Sequence, residues 1–266
     1  MDTIKQGYVG KDTVRLCQLL KVPNSFEYIP ELVAKVKEFQ KENNLVSDGI
    51  VGPKTWLTLF VLNRLRNTEN ESGICDYDYF WASEYLGCDV ASIRAVLDIE
   101  TSGSGFVAPD KPVILFEGHI FWKELKSRGI DPEKYSSKYP GIVYPKWTKQ
   151  YYLGGIREYE RFELASKISK DAAIESVSVG LFQILGQNYK ACSCSNQFEF
   201  WDKMCESEFS QFVLGIEFIR SQNLGKYLAS HNWVKFAERY NGPLQAQNKY
   251  SDKLEKAWKK YNNKQN

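Results

Sequence analysis

Apolar residues recur with helical spacing through most of this 266-residue chain. Near the N-terminus they predict three helices, over residues 13–21, around 32–40 and over 54–66. Between the second and third, residues 47–53 read SDGIVGP, which is typical of a tight turn, and Pro53 suits the first turn of the third helix. The start of the chain therefore predicts a compact helical unit.

A polar stretch then interrupts the pattern. RNTENESG, from Arg66 to Gly73, has no apolar period and is the best linker candidate. We assign residues 1–65 to an N-terminal domain, 66–76 to a linker and 77–266 to a second domain. Helical periodicity resumes at Tyr79, and only PVILF at 112–116 is a candidate strand, although periodicity alone does not separate it from a buried helical segment. The pattern predicts a mainly α protein with a small β element.

Composition narrows the classes of protein. The chain is 43% hydrophobic and 14% aromatic, which supplies a packed core and is unlike disorder. A net charge of +2 argues against a protein that coats nucleic acid. No run approaches a membrane span, and the N-terminus lacks the apolar region of a secretory signal, so we expect synthesis in the cytoplasm.

The six cysteines are expected to be free thiols. A chain of this length needs no disulfide staples, and cytoplasmic synthesis disfavours them. Cys192, Cys194 and Cys205 are clustered, so a zinc site is the alternative. Neither His119 nor His231 has the spacing to complete it, and we predict no metal and no cofactor.

One carboxylate stands out in the helical pattern. The segment DVASIRAVLDIET predicts a helix over 89–101 with Asp89 as its N-cap, and Glu100 continues the apolar face of Ile93, Val96 and Leu97. Burial and a helix C-terminus both raise the pKa of a carboxyl group. A carboxylic acid that stays protonated near neutral pH can donate to the leaving oxygen in glycoside cleavage. The alternative is that Glu100 pairs with a nearby Arg or Lys.

Short sequence blocks recur in a fixed order in both parts of the chain. The N-terminal blocks include Phe39-Gln40, DGIVG at 48–52 and Thr55-Trp56. The C-terminal blocks are IETSGSGF at 99–106, KPVILFEGH at 111–119, EYERF at 158–162, AAIESVSVGLFQILGQNY at 172–189, Trp233 with Phe236-Ala237, and YNGP at 240–243. With these blocks, residues 5–62 resemble the three-helix peptidoglycan-binding domain of wall hydrolases, and residues 80–262 resemble the N-acetylmuramidase domain of phage endolysins, a lysozyme-superfamily group.

The resemblance implies roles for individual residues. It makes Glu100 the general acid and Glu117, in the ILFEGH block, our first choice for the second group. Glu158 and Glu160 with Arg161 are weaker candidates, expected to form a salt-bridge lattice on a solvated helix face. Glu175 is another, and His119 is at most a positioning group. The family pattern also has an aromatic residue where this chain has Val179.

Substrate contacts follow from the same blocks. Amides bind hydroxyl and N-acetyl groups, and aromatic faces cover sugar rings. The YNGP block could equally be a helix-ending turn. The candidate sugar contacts are Ser102, Gln183, Tyr189, Tyr240 and Asn241.

The expected activity is hydrolysis of the β-1,4 bond between N-acetylmuramic acid and N-acetylglucosamine in peptidoglycan. Two alternatives stay open: a lytic transglycosylase acting on the same bond, and a wall-binding protein without catalysis. We expect a monomer with peptidoglycan glycan strands as partner, and neither nucleic acid nor an obligatory protein partner. As implied by the resemblance, it would be made in the host cytoplasm and act on the periplasmic wall after release.

Overall fold

A computed structural model describes residues 1–67, 73–100, 103–241 and 249–263. Helices dominate this part of the chain, as the apolar periodicity predicts. Among the described residues, no helix qualifies as a membrane-spanning segment. The helices are α1 (Lys11–Leu20), α2 (Pro30–Glu42), α3 (Pro53–Asn67), α4 (Asp76–Leu86), α5 (Val90–Glu100), α6 (Gly118–Ser127), α7 (Glu133–Ser136), α8 (Glu158–Ile168), α9 (Lys170–Glu175), α10 (Gln197–Glu206), α11 (Glu208–Ser221), α12 (Gly225–Ala229), α13 (Trp233–Asn241) and α14 (Tyr250–Asn262).

Five short strands form two antiparallel sheets. The first pairs β1 (Phe106–Ala108) with β2 (Lys111–Pro112). The second has the order β3-β4-β5, with β3 (Ile114–Phe116), β4 (Val177–Val179) and β5 (Ile184–Leu185). Phe116 lies opposite Val177, and Ile114 lies opposite Val179.

The single strand predicted over 112–116 is divided between the two sheets. It breaks at Val113, whose N–H donates to the carbonyl of Gly105 at 2.8 Å and whose carbonyl accepts from the N–H of Gly180 at 2.8 Å. Strands β1, β4 and β5 were not predicted, because two or three residues are too few to show an alternating pattern.

The N-terminal unit has the three predicted helices, with α3 beginning at Pro53. Trp56 is buried, and its indole N–H donates to the carbonyl of Asp2 at 2.9 Å. The turn between α2 and α3 is held by Gln40, whose amide accepts from the N–H of Gly49 and donates to the carbonyl of Ile50, both at 2.9 Å. Gly49 has a φ of +75°, which favours glycine. The turn residues and Trp56 thus have structural roles.

Helix α4 belongs to this N-terminal compact unit. The unit contains the described residues up to 67 together with Asp76–Gly87, and the second unit contains those from Cys88 onward with residues 73–75. Phe60 stacks on Trp81 with 5.5 Å between ring centroids, and Arg64 pairs with Asp78, both fully buried. The division therefore falls after α4, whereas the polar stretch had placed the second domain from residue 77.

The second unit builds its core on helices around the β3-β4-β5 sheet. The apolar face of α11 is buried through Phe212, Ile216 and Ile219, and α14 packs against α5 with Leu254 and Ala257 buried. The sheet and α11 thereby position the turn between β4 and β5, which contains Gly180 and forms part of the candidate site.

Candidate functional site

Helix α5 forms as the sequence predicts and ends at Glu100. Asp89 is the N-cap: its Oδ1 accepts from the N–H of Ser92 at 2.7 Å and from the indole of Trp258 at 3.1 Å. Its Oδ2 lies 2.7 Å from Nε2 of His231. Burial opposes ionisation of Asp89, but these hydrogen bonds outweigh it and hold its pKa below the usual value.

The predicted apolar face of α5 is buried. Ile93, Val96 and Leu97 are 2%, 1% and 7% exposed, and Glu100 follows them as the last residue of the helix. The backbone thus places Glu100 at the C-terminal end of a core helix, as predicted. The side chain of Glu100, and all of Ser102, lie outside the described residues, so the acid role and the Ser102 contact stay predictions.

Glu117 follows β3 directly and precedes the first turn of α6. The side chain is 15% exposed, and its Oε2 accepts from the hydroxyl of Tyr152 at 2.7 Å. Burial raises the pKa of Glu117, although the Tyr152 hydrogen bond and the charge of Arg161 oppose that shift. Nδ1 of His119 lies 3.3 Å from the same oxygen but makes no hydrogen bond there. A half-buried carboxyl group with a raised pKa is suited to proton transfer.

Glu158 and Arg161 are buried, and their prediction as part of a solvated lattice is wrong. Their side chains are 0% and 4% exposed and pair at 2.7 Å. Glu158 also accepts from the N–H of Phe116 at 3.1 Å, and Arg161 donates to the carbonyl of Phe116 at 2.8 Å. Burial against the end of β3 makes this pair a support for the strand that carries Glu117. Glu160, in contrast, is 64% exposed.

Glu175 makes an ion pair with an arginine of a neighbouring segment. Its Oε2 lies 2.7 Å from Nη2 of Arg128, which also contacts Glu124 at 2.5 Å. Burial and the nearby Glu124 raise the pKa of Glu175, opposed by Arg128. These contacts give Glu175 a role in joining α6 to the end of α9.

The GLFQI block forms the turn between β4 and β5. Gly180 and Gln183 have φ of +74° and +45°. The Gln183 amide donates to the carbonyl of Gly180 at 2.9 Å and to that of Val113 at 3.3 Å, so it closes the turn on itself. The hydroxyl of Tyr240 donates to the carbonyl of Phe182 at 3.2 Å. Two predicted sugar contacts thus meet at one turn.

A cavity of about 180 Å³ opens beside this turn. Its polar lining side chains include Gln183, Tyr240 and Asn188. Asn188 was not predicted, although its place in the LGQNY block adjoining GLFQI was a usable signal. Tyr189 is half-buried but does not line this cavity. Asn241 is the last residue of α13, and its side chain lies outside the described residues.

The structure separates two of the predicted site regions. Val113 binds the Gly180 turn, and Glu117 is four residues further along the same extended segment. At about 3.3 Å per residue, these two positions are roughly 13 Å apart. Gln183 and Tyr240 are therefore grouped together, and Glu117 lies at the other end of β3.

The described residues contain no group of three or more His, Cys, Asp or Glu side chains able to hold a metal ion. All six cysteines are free thiols, as predicted. Cys192 and Cys194 are buried, which raises the pKa of both thiols. Burial of Cys192 and Cys194 therefore disfavours the thiolate form that acts as a nucleophile or a metal ligand.

Comparison with known proteins assigns the two regions. Residues 89–262 match the model of the N-acetylmuramidase family, and residues 23–59 match a putative peptidoglycan-binding domain. The chain is 35% identical to a Burkholderia AP3 phage endolysin of known crystal structure, with a TM-score of 0.67 over 98% of this chain and 100% of that one. No curated protein matches the sequence.

This chain belongs to the N-acetylmuramidase family. It is a glycoside hydrolase of the N-acetylmuramidase type that acts on peptidoglycan, with a peptidoglycan-binding domain preceding the catalytic region. The mainly α class and the order of the two functional regions are confirmed.

Proposed function

We propose that this protein is a lytic endolysin that hydrolyses the β-1,4 bond between N-acetylmuramic acid and N-acetylglucosamine, with Glu100 as general acid. The observation that supports the assignment is the position of Glu100, last on a helix whose face through Ile93, Val96 and Leu97 is buried. The negative end of the helix dipole favours the protonated form of a carboxyl group at this position. That proton is the one the leaving oxygen needs.

Glu117 is the second group in this proposal and assists the attacking water. One carboxylate oxygen, Oε2, is held by Tyr152, and Oε1 has no hydrogen bond to the described residues. Its raised pKa lies closer to a working pH, which makes the carboxylate a stronger proton acceptor. The role requires a water between Glu117 and the sugar, as in an inverting glycosidase.

The cavity beside the Gly180 turn is the proposed sugar subsite. Gln183 and Tyr240 supply amide and aromatic surfaces there, and these groups suit N-acetyl and ring contacts. Ser102, Tyr189 and Asn241 complete the proposed set of sugar contacts. The protein would act as a monomer, without cofactor, on the periplasmic wall of the host in whose cytoplasm it is made.

The test is digestion of purified peptidoglycan, with the products identified by mass spectrometry. We expect wild type to release muropeptides that have gained one water at a reducing N-acetylmuramic acid. Glu100→Gln should lower the rate by at least about 100-fold, because a positioned acid contributes about 10²- to 10⁴-fold, and Glu117→Gln should lower it by about 10- to 100-fold. Glu160→Gln, on an exposed carboxyl group, should retain wild-type rate.

Other outcomes reject parts of the proposal. A 1,6-anhydro product without added water would identify a transglycosylase. Wall binding without release of products by wild type would leave only the peptidoglycan-binding activity. Full activity of Glu117→Gln would remove Glu117 from the mechanism while Glu100 stands.

A further inference from the structure

One face of α11 contacts both chain segments that shape the proposed site. Glu208 and Gln211 lie three residues apart and Gly215 follows at the next turn, so all three share this face. Oε1 of Glu208 accepts from the hydroxyl of Ser104 at 2.8 Å and from the N–H of Gly105 at 2.7 Å. Helix α11 thus holds Ser104 and Gly105, which follow Glu100 by four and five residues.

Gln211 is the central contact of this face and is fully buried. Its Oε1 accepts from the N–H of Leu181 at 2.9 Å. Its Nε2 donates to the carbonyl of Met204 at 2.9 Å and to that of Gly105 at 3.3 Å. One amide group therefore joins the loop after α5, the turn between β4 and β5, and the end of α10.

Glycines make room for this amide. A Cβ on Gly105 would lie 2.2 Å from Oε1 of Gln211, and one on Gly180 would lie 2.9 Å from the same atom. On the same face of α11, a Cβ on Gly215 would lie 2.3 Å from the ring of Phe182. The chain at Gly105 and the chain at Gly180 therefore pack against α11 more closely than any residue with a side chain would allow. This close packing fixes the distance between the two segments.

We propose that Gln211 is a positioning residue that sets the separation between the end of α5, with Glu100, and the Gly180–Gln183 turn that forms the sugar subsite. The proposal rests on the function proposed above for Glu100 and Gln183. Gly105 is five residues beyond Glu100, and Leu181 is two residues before Gln183. A displacement of about 1 Å between an acid and its substrate reduces turnover by about 100-fold. Gln211 is fully buried, so in this proposal it acts through the segments that it binds and not by contact with substrate.

The experiment measures kcat and KM on soluble peptidoglycan glycan chains, normalised to the folded fraction, for the full-length protein. Gln211→Met keeps the length of the side chain and removes all three hydrogen bonds. We expect kcat to fall about 10- to 100-fold with KM within about threefold, because the transition state depends on geometry more than ground-state binding does. The matched control is Glu217→Gln, a buried residue of α11 that binds Ser193 and Arg220. It should lower the melting temperature and leave kcat unchanged.

Gln211→Glu tests the same point with a titratable side chain. A carboxylate can still accept from Leu181 but cannot donate to Gly105 or Met204, and protonation restores one donor. We expect the ratio of its kcat to that of wild type to rise as the pH falls from about 7.5 to about 5, around the raised pKa of a buried carboxyl group. Loss of stability alone does not make the kcat ratio rise at lower pH, because activity is normalised to the amount of folded protein.

Wild-type kcat in folded Gln211→Met, or a decrease no greater than that of Glu217→Gln, would overturn the proposal and leave the proposed function intact. A flat ratio for Gln211→Glu across this pH range would also overturn it. Absence of activity in wild type would instead reject the proposed function, and with it the positioning role.

Discussion

The buried pair of Glu158 and Arg161 supports the end of β3, and its removal gives the sharpest stability prediction. Arg161 donates to Glu158, to the carbonyl of Phe116 and to that of Gly141, the last at 3.0 Å from Nη2. Glu158 accepts from three backbone N–H groups, including those of Leu153 at 2.6 Å and Gly154 at 3.0 Å. Substitution of either residue leaves buried polar groups without the hydrogen bonds that the removed side chain had made.

The expected cost follows from burial. Breaking a buried ion pair by removing one partner costs about 3–5 kcal/mol, whereas exposed pairs contribute about 0–1 kcal/mol. Arg161→Met should therefore lower the free energy of unfolding of the second unit, which is the catalytic unit, by about 3–5 kcal/mol, and Glu158→Gln should lower it by a similar amount. Because the two residues share one network, the double variant should cost about 1–3 kcal/mol less than the sum.

Scanning calorimetry of the full-length protein measures these costs, with loss of lytic activity marking the transition of the catalytic unit. At roughly 2–4 °C per kcal/mol for a unit of this size, each single variant should melt about 6–20 °C below wild type. The matched control is Lys235→Met, which removes an exposed ion pair of the same i,i+3 spacing to Glu238 on α13. A decrease for Arg161→Met no larger than that of the control would refute the reasoning.

The same pair predicts a dependence on pH. Burial opposes ionisation of Glu158, but the N–H groups of Gly154 and Leu153 and the charge of Arg161 outweigh it, so its pKa is lowered. A carboxyl group with a lowered folded pKa stabilises the fold above its unfolded pKa and loses that contribution as the pH falls through the folded value. Below about pH 4.5 the melting temperature of wild type should therefore approach that of Glu158→Gln. Parallel pH curves for the two proteins would contradict this account.

Three further predictions address the site and the domain division. Tyr152→Phe removes a hydrogen bond that lowers the pKa of Glu117, so the acid limb of the pH profile of kcat/KM should move to higher pH. If that limb does not move, Glu117 is not the base. Gly186→Ala would place a Cβ 1.9 Å from a backbone carbonyl oxygen and should lower the free energy of unfolding, measured by calorimetry, by at least about 1–3 kcal/mol. The control Gly73→Ala, where a Cβ would meet open space, should lower it by less than about 0.5 kcal/mol, and equal decreases would reject the packing argument. A fragment of residues 1–87 should have a free energy of unfolding in urea at least about 2 kcal/mol higher than a fragment that ends before α4, because α4 contributes a buried tryptophan. Equal stability of the two fragments would place α4 outside the N-terminal domain.

Local features of the site were readable from residue order. The helix over 89–101 needs only a capping Asp89 and apolar residues at spacings of three and four, and the structure has both. The ordered blocks also placed Gln183 and Tyr240 in one site, and the structure brings them to one cavity. Burial of Glu158 and Arg161 was not readable, because two charges three residues apart look the same on a solvated face and in a core.

Residue order by itself determined the helical class, the turn at Asp48–Gly52 and the cap and apolar face of α5, because each depends on neighbours within a few residues. The tertiary structure decided what depends on contacts distant in sequence. Helix α4 joins the N-terminal unit because Trp81 stacks on Phe60, and Gln211 binds Gly105, 106 residues away. Packing across such separations is set by the shape and hydrogen bonds of the assembled core, which no local pattern encodes.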